Sequence, residues 1–194
     1  MHIAAAVLLA VSGLVCLPVV LAGGRLRLVW VRILALLGTL LLSASAVLGL
    51  AHGDAAPAWL TAPAAILAAV GLGSALTVSV LSFTRIVRPG TVGASSPAIG
   101  AIQEAQPPED AADPGAELLR GGALIGVFER AAITATLLAG WPEGLAVVLA
   151  VKGLGRFPEL KGNQGASERF ILGTLVSVLA AAACAGVGRL LTPA

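Results

Sequence analysis

Residues 121–156 read GGALIGVFERAAITATLLAGWPEGLAVVLAVKGLGR, and this stretch decides the fold that we predict for the chain. It is apolar enough to enter a bilayer, yet it carries Glu129, Arg130, Lys152 and Arg156 at positions where lipid is expected. Residues 140–142 (GWP) predict a turn between two helices, because proline breaks a helix unless its neighbours compensate. The stretch therefore predicts a helical hairpin.

In an antiparallel hairpin, Glu129 and Lys152 fall at nearly the same depth. Glu129 lies twelve residues before Trp141, and Lys152 lies eleven residues after it. Ionised groups inside a membrane are costly and tend to face partners, so they mark a functional site. We therefore predict that Glu129 is a titratable group with Lys152 as its counter-ion.

The composition indicates a membrane protein. Of 194 residues, 58% are hydrophobic and only 11% are charged, whereas soluble domains are roughly 25% charged. Several apolar runs approach or exceed the roughly 18 residues that span the hydrocarbon layer. We expect an all-α, polytopic integral membrane protein with about six transmembrane helices.

The predicted spans form a 3+3 arrangement. They cover residues 3–22, 28–50, 64–83, 118–140, 143–160 and 170–191. Residues 1–88 make an N-terminal three-helix part, and residues 118–194 make a C-terminal membrane module. Between them, residues 89–117 contain five prolines, five acids and no Lys or Arg. Such a segment cannot bury enough apolar surface to order itself, so we predict a disordered cytoplasmic linker.

The distribution of basic residues predicts the orientation. With six spans and the N-terminus outside, ten Lys or Arg residues lie at inner ends and loops, Arg130 lies within the membrane, and only Arg189 lies outside. This is the positive-inside bias, and it predicts a multi-pass protein of the inner (plasma) membrane. A rival layout makes residues 131–151 a single kinked span. That layout moves Lys152, Arg156, Lys161 and Arg169 to the outer side.

Two groups of basic residues are candidate binding sites. Inside the hairpin, Arg130 and Arg156 are candidate anion contacts, and Arg156 follows Lys152 by one helical turn. At the inner surface, Lys161 and Arg169 flank a Gly-containing loop before the last helix, where a phosphate of a lipid or nucleotide could bind. The alternative for this second group is ordinary topology-setting charge beside a flexible turn.

Other chemistry has little support in the sequence. Two histidines are too few for a His-based metal site, and no zinc or nucleotide signature occurs. No nucleophile motif surrounds the serines of the spans, so an enzyme is the least supported function. Cys16 and Cys184 lie in apolar runs and are expected to be packing residues. We expect no cofactor, and the net charge of +2 is too small to indicate nucleic acid.

A set of polar residues in the C-terminal part resembles a known pattern. The chain is similar to the C-terminal membrane module of an uncharacterised family of bacterial membrane proteins, with the patterns LIGxxER, KxxxRFxEL and ExxxxGT followed by Ser. The matching residues are Leu124-Ile125-Gly126, Glu129-Arg130, Lys152, Arg156-Phe157, Glu159-Leu160, Glu168, Gly173-Thr174 and Ser177. The resemblance covers about 55 residues of 194. It implies that these polar residues act as a set in a bacterial membrane protein, and it implies no activity.

Two functions remain open. In the first, the hairpin charges line a polar intramembrane site that handles an ion, a proton, or an anionic solute or lipid. In the second, the chain is a structural or assembly protein. Its buried ion pairs then lock helix packing or dock helices of a partner membrane protein or a second copy. Under both functions, the expected partners of the chain include the lipid bilayer and its anionic lipids.

Overall fold

A computed structural model describes residues 2–21, 27–52, 56–87, 114–160 and 164–192. Within these ranges the chain forms six α-helices and no strand. They are α1 (His2–Leu21), α2 (Leu28–His52), α3 (Ala58–Val87), α4 (Pro114–Leu138), α5 (Glu143–Leu160) and α6 (Gln164–Leu190). The predicted all-α class is confirmed.

Four of the helices are long and apolar enough to cross a membrane. The corresponding segments are Ile3–Leu21, Leu28–Ala51, Ala58–Ser82 and Ser167–Leu190. A membrane-spanning helix satisfies all of its backbone hydrogen bonds internally, which the hydrocarbon layer requires. The chain is therefore an all-α membrane protein with several spanning helices.

Helices α4 and α5 form the hairpin that the GWP sequence predicts. Trp141 N–H donates to the carbonyl of Thr136, at 2.9 Å, and Gly140 N–H donates to the carbonyl of Leu137, at 3.2 Å. This pair of bonds is the Schellman ending of a helix. Gly140 has φ = 73°, a backbone conformation that glycine adopts without steric cost. The chain has two helices here, and not one kinked helix over residues 131–151.

Three helices begin earlier than the sequence predicts. Helix α3 begins at Ala58 and contains Pro63, and α4 begins at Pro114, inside the segment that we predicted as linker. Proline at the first position of a helix lacks only an N–H that would be unpaired there. Helix α6 begins at Gln164, so part of the predicted polar loop is helical. The rest of the predicted linker, residues 89–113, lies outside the described residues.

One hydrophobic core joins the two halves of the chain. Helix α3 packs against α1, α4 and α6, and the buried core includes Leu9 of α1, Leu72 of α3, Ile133 of α4 and Cys184 of α6. The 3+3 arrangement therefore describes the order of helices along the sequence, while α3 lies at the centre of the packing.

Hydrogen bonds show which helix ends share a face. Ala56 N–H, before α3, donates to the carbonyl of Leu191, just after α6, at 2.7 Å. Arg189 of α6 donates to the carbonyl of Leu137 in α4, at 3.1 Å. The start of α3, the α4–α5 turn and the end of α6 thus lie on one face, as antiparallel helices require.

Candidate functional site

Glu129 of α4 and Lys152 of α5 form an ion pair. Lys152 Nζ donates to Oε1 of Glu129 at 2.7 Å. The Glu129 side chain is 5% exposed and the Lys152 side chain is 19% exposed. The two residues meet because the hairpin turn brings them to equal depth, as the sequence predicts.

Helix α6 supplies a further contact to Lys152. Its ammonium lies 5.6 Å from the centroid of the Phe170 ring, within the range of a cation–π interaction. Lys152 therefore links α5 to both α4 and α6. A charge-assisted hydrogen bond and an aromatic face together reduce the cost of holding this cation away from water.

Arg130 lies beside Glu129 in the sequence but points to different partners. Its guanidinium donates to Oγ of Ser74 in α3 at 2.6 Å and to Oγ of Ser177 in α6 at 3.4 Å. The residue is 6% exposed. Among the described side chains, no carboxylate forms an ion pair with Arg130, because the neighbouring Glu129 is engaged by Lys152.

Glycines make room for the Arg130 side chain. A Cβ at Gly73 of α3 would overlap the Cδ of Arg130, and a Cβ at Gly126 of α4 would lie 3.3 Å from a guanidinium nitrogen. Thr134, one turn after Arg130, donates to the Arg130 carbonyl at 2.8 Å. The space for a long cationic side chain is therefore set by one glycine on the neighbouring helix α3 and one on α4 itself.

The serine partners place the guanidinium at mid-depth of the helix bundle. Ser177 is the central residue of α6, thirteen residues from either end. Ser74 lies sixteen residues after the first residue of α3 and thirteen before its last. Both helices are long and apolar enough to cross a membrane. A cation at this depth is costly unless a cavity or specific partners surround it.

Two polar atoms in this region have no hydrogen-bond partner in the described structure: Nε of Arg130 and Oγ1 of Thr174. Thr174 precedes Ser177 by three residues, so the two hydroxyls lie on the same side of α6. Buried polar groups without a partner are rare in native structures. Nε of Arg130 is therefore an unused donor on a cation that two serine hydroxyls contact, and Thr174 offers a second unused donor one turn earlier on α6.

The other predicted site residues lie apart from this cluster. Arg156 is exposed on α5, one turn beyond Lys152, and Arg169 is exposed near the start of α6. Lys152 contacts Glu129 of α4, and that Arg156 acts with it as an anion contact stays a prediction. Lys161 lies outside the described residues, so the second predicted group cannot be assembled from Arg169 alone.

The sequence analysis missed the partners of Arg130. It assigned no role to Ser74, although Gly73-Ser74 is a small, polar pair within the apolar α3 and fits the close approach of a charged side chain. Ser177 entered only through the resemblance. The sequence feature that could have indicated these partners is the presence of serine hydroxyls within the apolar spans, where the hydroxyls have no other evident role.

Metal and thiol chemistry find no site among the described residues. No group of three His, Cys, Asp or Glu side chains comes together there. Cys16 and Cys184 are both buried and free, which agrees with packing roles. The charged cluster is therefore the candidate site, and its chemistry is that of hydrogen bonding and charge.

Comparison with protein-family models, with curated proteins and with solved structures finds no match for this chain.

Proposed function

We propose that this chain is a membrane protein that binds a small anion, or the anionic group of a solute, at Arg130. The observation that carries the proposal is the guanidinium itself. It is buried at mid-depth between α3, α4 and α6, it is held by two serine hydroxyls, and its Nε has no partner in the described structure.

Charge balance supports an anionic ligand. The cluster of Glu129, Arg130 and Lys152 carries two cations and one carboxylate, and the carboxylate is engaged by Lys152. A bound anion would neutralise the remaining charge and accept hydrogen bonds from Nε of Arg130 and from a hydroxyl of Thr174. Such charge-assisted bonds are stronger than neutral ones.

In this proposal the Glu129–Lys152 pair is the neighbour that tunes the site. Because the pair lies on the other side of α4 from the Arg130 guanidinium, it acts on the bound anion through its electric field and through the placement of α4, and not by direct contact.

The experiment is a titration of the purified full-length chain in detergent with sodium chloride, sodium phosphate and sodium acetate, followed by calorimetry. We expect saturable binding of at least one anion, its loss in Arg130→Gln, and its retention in Arg27→Gln, which removes an exposed arginine. Arg130→Lys keeps the charge but lacks the planar fork, so it should bind more weakly. Absence of saturable binding in the folded wild type would refute the proposal.

The second candidate is a structural role, which the direct Glu129–Lys152 contact favours. In that case exchanging the two charges, by Glu129→Lys with Lys152→Glu, should leave the protein folded and every activity intact. If Arg130 forms an anion site, the exchanged variant should instead fold but bind the anion with a changed affinity, because the new positions of the charges alter the electric field at Arg130.

The membrane and the orientation are also part of the proposal. We infer a bacterial inner membrane with the N-terminus outside, from the basic residues and from the resemblance of the C-terminal part. The crossing of the membrane by α4 and α5 belongs to the same proposal. Its support is the hairpin together with the shared face of its turn and the end of α6.

A further inference from the structure

A surface groove between α2 and the α3–α6 pair has not entered the functional argument so far. It consists of two adjoining cavities of about 380 Å³ and 300 Å³. Both are lined by Thr39, Leu76 and Val80, so they form one continuous groove. Its lining does not include Glu129, Arg130 or Lys152.

The groove is apolar along its length and cationic at one end. On α2 it is lined by Arg32, Leu36, Thr39 and Leu42, which are spaced three or four residues apart and so share one face of the helix. Ten residues separate Arg32 from Leu42, which corresponds to about 15 Å along a helix. The opposite wall contains Leu72 of α3 and other apolar side chains of α3 and α6.

The groove arises from side-chain size. At Gly38 the helices approach so closely that an added Cβ would lie 3.0 Å from Cδ1 of Leu72. Thr39 follows Gly38 directly, and Ala35 precedes it by about one turn. Both side chains are too short to fill the space between α2 and Leu76 of α3. The backbone contact at Gly38 therefore holds α2 in place while the neighbouring stripe stays open.

Arg32 is available to a ligand. It is partly buried, and among the described residues it has no hydrogen-bond or ion-pair partner. It lies four residues after the first residue of α2, about 6 Å along the axis, which places it near the membrane surface if Leu28 marks the edge of the span. A guanidinium at this level suits a phosphate, which it binds with two parallel hydrogen bonds.

We propose that this groove binds one membrane phospholipid, with an acyl chain along the apolar walls and the phosphate at Arg32. The occupant is argued from the match between an apolar channel and a single cation at its end. A helix of a partner protein would gain nothing from that cation, whereas a phospholipid carries both an apolar chain and an anion. The site is independent of the anion site at Arg130.

The test uses the full-length chain in phosphatidylcholine vesicles that contain a phosphatidylglycerol with a photoreactive diazirine on one acyl chain. After illumination, mass spectrometry of peptides locates the adducts. We expect adducts on Thr39 and Leu76, which are partly buried in the groove, in excess of those on Leu40, which is exposed and does not line it. Arg32→Gln should lower the groove adducts roughly ten-fold or more, the usual effect of losing a hydrogen bond to a charged group.

Matched variants separate the groove from general lipid contact. Arg27→Gln removes an exposed arginine near the start of the same helix and should leave the adducts unchanged. Thr39→Trp fills the groove and should abolish them even with Arg32 present, whereas Leu40→Trp should not. Equal adducts on Thr39 and Leu40, or no effect of Arg32→Gln, would overturn the proposal. In a separate experiment, a Thr39→Cys chain with Cys16→Ala and Cys184→Ala is oxidised in the same vesicles, and a disulfide-linked dimer would also overturn it, in favour of a second copy in the groove.

Discussion

Glu129 and Lys152, which lie 23 residues apart in the sequence, form a direct ion pair across the α4–α5 hairpin, with 2.7 Å between Lys152 Nζ and Oε1 of Glu129. The adjacent Arg130 turns to the other side of α4 and contacts Ser74 and Ser177. Because successive helical residues point about 100° apart, one short segment of α4 serves two separate environments. The pair holds the hairpin, and the arginine faces the centre of the bundle.

Loss of the carboxylate should destabilise the hairpin. Glu129→Gln leaves Lys152 without its counter-ion in a largely buried position, and removing one partner of a buried pair costs about 3 kcal/mol in the free energy of unfolding. Equilibrium unfolding of the purified chain in mixed micelles measures this. Glu143→Gln, at an exposed glutamate at the start of α5, should cost less than about 1 kcal/mol, through the helix dipole alone. Equal effects of the two substitutions would mean that the pair adds no stability.

Gly73→Ala should disturb Arg130 specifically. The added methyl group would overlap the Arg130 side chain, and overpacking of this kind costs roughly 1–3 kcal/mol. We expect a lower unfolding free energy and weaker anion binding in the same titration. The control is Gly186→Ala on α6, where the added Cβ meets nothing within 4 Å. That variant should be neutral or slightly stabilised, by up to about 1 kcal/mol. If both variants bound anions equally well, Arg130 would not need the space that Gly73 leaves.

The hairpin turn should depend on Gly140. Its φ of 73° disfavours a residue with a Cβ, so Gly140→Ala should lower the free energy of unfolding by about 1–2 kcal/mol. Thermal unfolding monitored by circular dichroism measures the effect. Gly155→Ala, in α5 with open space around it, is the matched control and should not destabilise. A Gly140→Ala variant as stable as wild type would show that the turn is not held in this conformation.

The sidedness of the helix ends can be measured by thiol labelling. In a chain with Cys16→Ala and Cys184→Ala, single cysteines at Trp59 and Glu143 should react from the same side with an impermeant reagent, and a cysteine at Arg27 should not. Both Trp59 and Glu143 are exposed, and they lie at the face shared by the α2–α3 connection and the α4–α5 turn. Labelling in intact cells also determines which side is outside. Reaction of Trp59 and Glu143 from opposite sides would contradict a full crossing by α4 and α5.

Much of the fold followed from local features of the sequence. Apolar runs of spanning length predicted α1, α2, α3 and α6, and the GWP turn predicted the break between α4 and α5. The helix starts were less accurate. Pro114 begins α4, where proline is tolerated because its missing N–H would be unpaired there. Pro63 lies in the second turn of α3 and interrupts one hydrogen bond without ending the helix. The Glu129–Lys152 contact was predictable because it depends only on helix geometry and on equal distances from one turn.

The sequence by itself determined that this is a helical membrane protein with a charged hairpin, because an apolar chain in lipid must satisfy its backbone hydrogen bonds within helices. Only the tertiary structure decided where Arg130 points and what surrounds it. Ser74 and Ser177 lie 56 and 47 residues from Arg130 in the sequence. Their approach depends on how α3, α4 and α6 pack through small residues such as Gly73. That packing is a property of three helices together, and no single segment encodes it.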